Sequence, residues 1–258
     1  MSLNKLFDLS GKVAMVTGGG NGIGKASCEI LAEAGAAVAV SDLKLADAEA
    51  VAAEINSKGG KAIAIECDVK KDEDLVNLVN RTVKELGGVH ILVNNVGVGG
   101  GSRENPFKIG VDRFAFVFEL NVFSAWRLSQ LCAPYMRDGG YGSIINITSM
   151  GSINKSPNMS AYAGSKAALN HMSANLAYDY GPLGIRVNCV GPGATKTAAL
   201  ASVLTPEIEE KMLAGTPIKR LGEVEDISGA VLYFAAPVSE WVSGQVLFVN
   251  GGGVQTLD

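Results

Sequence analysis

The chain has 258 residues, 26 acidic and 22 basic, with a formal charge of −4, 47% hydrophobic and 19% charged side chains. So apolar a composition excludes disorder and coiled coil, and the acidic balance leaves no electrostatic footprint for nucleic acid or an anionic membrane. No run approaches the ~18 apolar residues of a membrane span, and glycines follow Val13–Val16 too soon for a signal peptide. Cys28, Cys67, Cys132 and Cys189 form no C-x-x-C pair, and His90 and His171 are the two histidines. That pattern predicts buried thiols in a reducing cytoplasm, with no metal site.

In chain order, short Val/Ile/Ala-rich runs stand at Val13–Val16, Ala36–Val40, Ala62–Ile65, His90–Val93, Ser143–Ile147, Arg186–Val190 and Val246–Val249. Apolar nearly throughout, they read as strands buried on both faces of a parallel sheet. Helical periodicity fills residues 22–34, 45–57, 71–86, 111–135, 161–180, 206–214 and 225–236. In 71–86 the apolar residues Leu75, Leu78, Val79, Val83 and Leu86 step by three and four behind an acidic first turn. Strand alternating with helix predicts an α/β fold. It is a single Rossmann-type domain over 1–258, with a doubly wound parallel sheet of about seven strands flanked by helices.

The first strand runs into Gly18-Gly19-Gly20-Asn21-Gly22-Ile23-Gly24 and then a helical stretch. Gly18, Gly22 and Gly24 let the chain turn sharply and let a diphosphate approach the backbone amides at a helix N-terminus. Asp42 follows the second strand, where a carboxylate takes ribose hydroxyls and repels a 2′-phosphate, so NAD is the expected cofactor rather than NADP. Lys25 and Lys44 are the residues that argue the other way, since either could meet a phosphate.

The spacing Gly-x3-Gly-x-Gly in Thr17–Gly24 resembles the cofactor motif of the short-chain dehydrogenase/reductase family. So do Cys67-Asp68-Val69, Asn94-Asn95-Val96-Gly97, and Pro192-Gly193 followed by Thr195-Lys196-Thr197, in the right order along the whole chain. The resemblance implies that Asp68 and Val69 hold the adenine, that Asn95 lies beside the cofactor, and that Thr195–Thr197 reach the nicotinamide amide. It also brings Asn21, Ile23, Leu43 and Gly97 into the cofactor site. Val96 stands where the family more often has Ala, a local packing change.

Tyr162 and Lys166 are four residues apart in a helical stretch and share one face. A neighbouring ammonium favours the phenolate; lowering a phenol from ~10 to ~7 takes about 4 kcal/mol. Ser149 ends the fifth strand at the carboxyl edge of the sheet, where such folds bind ligands. With Asn121 these residues resemble the family's catalytic Asn, Ser, Tyr and Lys. By that resemblance Tyr162 exchanges the proton, Ser149 holds the substrate oxygen, Lys166 lowers the phenol's pKa and bonds the nicotinamide ribose, and Asn121 holds a relay water. Thr148 is expected on the opposite side of the strand, and His171 at the surface or in a structural role.

Residues 195–216 are rich in Ala, Leu and Met, and read either as a lid over an apolar substrate or as an amphipathic helix packed on the core. Ile147–Met159, Leu204–Leu221 and Trp241–Gln255 are similar to family members that oxidise steroid alcohols, which implies the 7α-hydroxyl of a bile acid as substrate and Asn154 as a substrate contact. Another secondary alcohol, a sugar or a 3-oxoacyl thioester stays open, as does a non-catalytic NAD-binding regulator. The resemblance further implies pairing of subunits through helices 111–135 and 160–181, giving a dimer or tetramer.

Overall fold

The computed structural model describes residues 3–99, 104–155, 157–201 and 204–253. Seven strands, β1 (Val13–Thr17), β2 (Ala37–Asp42), β3 (Lys61–Glu66), β4 (Ile91–Asn94), β5 (Gly142–Ile147), β6 (Ile185–Pro192) and β7 (Val246–Val249), form one sheet in the order β3-β2-β1-β4-β5-β6-β7. Every pairing is parallel. The central strands β1, β4, β5 and β6 are buried at every residue, as expected of largely apolar runs in a sheet covered on both faces.

The helices are α1 (Leu3–Phe7), α2 (Gly22–Glu33), α3 (Leu45–Ser57), α4 (Asp72–Leu86), α5 (Val111–Phe118), α6 (Ser124–Asp138), α7 (Ser160–Tyr180), α8 (Ala198–Ala201), α9 (Pro206–Ala214) and α10 (Val224–Ala235). One layer packs α2, α3 and α10 through Leu31, Val51, Ile55, Val231 and Phe234. On the other face α4, α6 and α7 bury Leu75, Leu78, Leu128, Met136 and Leu176. In α4 the periodic positions Leu75, Leu78 and Val79 are buried, and Gly87, at φ +97°, ends the helix by donating its N–H to the Val83 carbonyl.

Two differences from the sequence-based expectation bear on the site. Asp42 is the last residue of β2 rather than a residue beyond it. The single helix expected over 111–135 is divided by a π-turn at Glu119–Phe123. One residue inserted into a helix rotates everything after it by about 100°. Leu128, Cys132 and Met136 thereby stay on the core face while Asn121, inside the π-turn, is buried at the sheet's carboxyl end.

The strand order reverses between β1 and β4, so α2 and the segment after β4 leave the sheet to opposite sides and open a crevice there. All four cysteines are free and buried, and burial pushes the Cys67 and Cys189 thiols up to about 12. Among the described residues no helix is long and apolar enough to cross a membrane, and no three His, Cys, Asp or Glu side chains gather as a metal site.

His90 joins β1 to β4: its Nδ1 accepts from the Val13 N–H at 3.0 Å. Burial, and then the nearby Lys12, lower its pKa. A depressed histidine contributes stability above its unfolded pKa of ~6.5 and loses it as the pH falls. Thermal melting should therefore drop between pH ~6.5 and ~5 by more in the wild type than in His90→Gln. The difference is worth at most about 1 kcal/mol for a half-exposed bond. Parallel melting curves would refute the assignment.

Candidate active site

The crevice is a cleft of about 630 Å³ whose lining includes Gly18, Asn21, Gly22, Ile23, Asp42, Leu43, Asp68, Val69, Asn95, Gly97 and Thr197. These are eleven of the residues expected at a dinucleotide. The glycine turn at its floor has a steric reason. A Cβ on Gly24 would stand 2.0 Å from the Gly18 carbonyl oxygen, a position no side chain can take. Gly22, at φ +54°, makes the left-handed step into α2. Asn21 occupies the N-cap position but turns its amide to Asp47 Oδ2 at 3.1 Å, leaving the first turn of α2 without a side-chain cap. Uncapped amides at a positive helix end suit a diphosphate, so this donor set fits a dinucleotide.

Asn95 locks that turn to β4. Its Nδ2 donates to the carbonyls of Thr17 at 3.0 Å and Gly18 at 3.1 Å, while Thr17 Oγ1 accepts from the Asn95 and Val96 amides. Asp42 caps the far end: Oδ2 accepts from Gly20 N–H at 3.0 Å and Oδ1 from Lys44 N–H at 3.1 Å, which orient the carboxylate at the cleft. Lys25 is paired with Glu54 at 2.8 Å, and Lys44 is exposed as the N-cap of α3 with no side-chain cap bond.

Of the three residues expected to reach the nicotinamide amide, Thr197 lines the cleft. Thr195 is instead buried, with Oγ1 on the Gly193 carbonyl at 3.1 Å, and Lys196 turns outward to Glu223. The bridge between Thr195 and Gly222 holds their backbone in that orientation.

Gly97 is where the cleft meets the buried polar cluster: a Cβ there would lie 2.9 Å from Lys166 Nζ and 3.4 Å from Asn121 Oδ1. Lys166, 3% exposed, donates to the Ile147 carbonyl at the end of β5 at 2.8 Å. Burial holds the ammonium down to about 8. Tyr162 lies one turn earlier on α7, and its phenol shares a hydrogen bond with Ser149. Ser149 Oγ also accepts from Gly151 N–H at 3.0 Å. Asn121 grips the segment after β4 from the other side: Oδ1 accepts from Val98 N–H at 2.8 Å, and Nδ2 donates to the Val98 carbonyl at 2.9 Å and to Ser165 Oγ at 2.8 Å.

One electrostatic expectation is corrected. The phenol of Tyr162 sits above its ordinary pKa, because burial outweighs the hydrogen bond with Ser149 and a nearby carboxylate, Glu104, acts in the same direction as burial. Lys166 does not touch the phenol; its ammonium is 6.0 Å from the ring centre and its hydrogen bond goes to the Ile147 carbonyl.

Asn154, the expected substrate contact, is half-buried after the short turn Met150–Ser152, with its backbone N–H on the Met150 carbonyl at 2.9 Å. Thr148 is buried, its hydroxyl on the Val190 carbonyl at 3.3 Å, and His171 is exposed. Positioning residues escaped the sequence-based reading. Ser165 links Asn121 to the Tyr162 carbonyl at 2.7 Å. Asn170 donates to Ser152, whose hydroxyl donates to the Ser149 carbonyl at 2.6 Å. Asn170 lies one turn beyond Lys166, and that periodicity is its one signal in the sequence.

Residues 18–253 match the family described as enoyl-(acyl carrier protein) reductase. The chain is 50% identical over 250 residues to the 7α-hydroxysteroid dehydrogenase of Escherichia coli strain K12, covering 97% of each. It is 36% identical over 245 residues to that of Clostridium sardiniense, covering 95% of this chain and 94% of the other. A solved 7α-hydroxysteroid dehydrogenase complexed with NADH and 7-oxo glycochenodeoxycholic acid is similar over 100% of both chains, with a TM-score of 0.95 at 48% identity.

The glycine turn makes a direct prediction. Gly24→Ala should fold with a loss of roughly 1–3 kcal/mol, since the overlap is with backbone that has to shift. NADH binding, followed by fluorescence titration, should weaken at least ~10-fold. Unchanged affinity would mean that this turn is not the phosphate site.

Proposed function

The chain belongs to the short-chain dehydrogenase/reductase family, and from that premise we propose that it is an NAD-dependent oxidoreductase acting on the 7α-hydroxyl of a bile-acid steroid. The observation that carries the reading is the juncture at Gly97. There a cleft ending at Asp42 meets Lys166 and Asn121, one turn of α7 beyond Tyr162, in a chain half identical to a 7α-hydroxysteroid dehydrogenase along its length.

NAD, when bound, supplies the acceptor for hydride from the alcohol carbon. Gly18, Asn21, Gly22, Ile23 and Gly24 hold its phosphates, Asp42 and Leu43 its adenosine ribose, and Asp68 and Val69 its adenine. Asn95, Gly97, Lys166 and Thr197 line the nicotinamide end, with Thr195 and Lys196 acting through their backbone. Asp42 favours NAD over NADP because a carboxylate at the end of β2 repels a 2′-phosphate.

Ser149 and the Tyr162 phenol bind the substrate oxygen from two sides. As the carbon loses hydride, Tyr162 takes the hydroxyl proton and Ser149 steadies the charge on oxygen, a carbonyl forming in place of the alcohol. Lys166 holds a positive charge one turn below the phenol. By family resemblance, a water beside Asn121 connects it to solvent. In the reverse direction the phenol returns the proton.

The substrate side is more open. No residue of α9 is buried, so the helix rests on the molecule without contributing to its core, which supports the lid reading of residues 195–216. Ser202 and Val203 fall outside the described residues. Asn154 stands beside the serine turn as the steroid contact. Val111, Phe123 and Trp126 are exposed on α5–α6, as is Tyr178 on α7, which supports assembly of a dimer or tetramer through those helices. The predicted compartment is the cytoplasm, where four free thiols persist.

Initial rates of NADH formation test this reading. A 7α-hydroxy bile acid should be oxidised with NAD roughly 100-fold or more faster than its 7β epimer. Tyr162→Phe should lose ~10³-fold in kcat while binding NADH within about two-fold of the wild type. Turnover retained in Tyr162→Phe would refute the proton-transfer role. Activity confined to alcohols other than steroids would refute the substrate.

A further inference from the structure

Glu104 lies between β4 and α5, and its side chain is fully buried. A buried carboxylate is costly unless hydrogen bonds meet its charge. Here Oε2 accepts from the backbone N–H of Ala161 at 3.0 Å and of Tyr162 at 3.1 Å. Those are the second and third residues of α7, a helix whose own N-cap residue, Met159, makes no side-chain bond. A carboxylate 57 residues away in sequence thus does the work of a capping side chain at the positive end of the helix. Its other oxygen and the base of the Tyr162 ring both flank Gly99. A Cβ on Gly99 would come within 2.9 Å of Tyr162 Cβ and Cδ2 and within 3.0 Å of Glu104 Oε1. Gly99, at φ +137°, is pinched between carboxylate and ring.

We propose that Glu104 is a positioning residue of the reaction: it fixes the first turn of α7, and with it the direction of Tyr162, and its charge sets the pH range in which the phenol works. The inference rests on Tyr162 being the proton-transfer group. Two fields reach that phenol from the end of its helix. The first-turn amides favour the phenolate, and the carboxylate opposes them. Glu104 indeed raises the phenol's pKa, while the hydrogen bond with Ser149 acts against it. Among the described residues Lys166, on the same helix, is the other charged group facing the ring, at 6.0 Å from its centre.

Two substitutions separate placement from charge. Both amides go to one oxygen, and a glutamine carbonyl has two lone pairs to receive them. Glu104→Gln therefore removes the charge and keeps the cap. Glu104→Asp keeps the charge and shortens the reach by one methylene.

The experiment is the pH profile of kcat/KM for oxidation of a secondary alcohol that the wild type turns over, together with fluorescence titration of NADH binding. Glu104→Gln should move the acidic limb to lower pH by roughly 0.5–1 unit, with NADH affinity within about two-fold of the wild type. Glu104→Asp should leave the midpoint in place and lose ~10-fold in kcat, as the phenol's direction slackens. A Glu104→Gln profile that superimposes on the wild type, or full kcat in Glu104→Asp, overturns the proposal. Should Glu104→Gln not fold, the kcat and midpoint of Glu104→Asp decide it alone. A wild type inactive on every secondary alcohol removes the reading of Tyr162 and this inference together, whereas an active enzyme whose variants behave like the wild type removes only the inference.

Discussion

A buried ammonium is the constraint around which the catalytic end of this molecule is arranged. Lys166 is 3% exposed and, among the described residues, has no carboxylate beside it to meet its charge; the Ile147 carbonyl does so instead. Charge held in so dry a place is expensive, and the ammonium's own pKa, brought down to about 8, records that expense. The surrounding elements follow from keeping it there. Strand β5 must end at Ile147 so that its last carbonyl is free to accept. A glycine at residue 97 leaves the ammonium its place, since a Cβ there would sit 2.9 Å from Nζ and push it aside. The segment after β4 must be held in place over it, and the Asn121 side chain does this by bonding both the N–H and the carbonyl of Val98.

Helix α7 then presents Tyr162 one turn before the lysine, where the phenol is within reach of Ser149 but not of the ammonium itself. Lysine and tyrosine therefore interact through space and through the shared helix rather than by direct contact. The hydroxyl of Ser165 closes the arrangement by tying Asn121 to the tyrosine's own backbone. Every hydrogen bond in the cluster runs to a backbone group or to another member, which is how a polar site survives at the edge of an apolar core.

Much of this was legible in the chain because local spacing encodes it. Apolar runs alternating with helical periods marked all seven strands and the parallel, doubly wound sheet, and the Gly18–Gly24 turn and Asp42 lay where a strand–turn–helix unit puts them. What escaped depends on contacts between distant segments. The π-turn at Glu119–Phe123 has no local mark, since the apolar period continues on both sides of it. Thr195 and Lys196 followed the family pattern in sequence, yet the pairing of Thr195 with Gly222 turns their side chains away from the cleft. The raised pKa of Tyr162 arises from burial under the segment after β4, including a carboxylate 58 residues away. The steroid assignment came from likeness to relatives, because the proposed substrate side, α9 and the turn after β5, contributes little to the core and its spacing carries little information.

In the proposed reaction a single phenol moves the proton in both directions. This is tested most directly by the pH dependence of kcat/KM for alcohol oxidation and for ketone reduction, each measured at saturating cofactor. Oxidation requires the phenolate and reduction the phenol. Because burial raises the pKa of Tyr162, oxidation should climb from neutral into alkaline pH while reduction falls through the same midpoint. Mirror-image profiles sharing one midpoint would bear the account out. Profiles that rise and fall together, or midpoints that differ by more than about a unit, would contradict it and move the proton to another group.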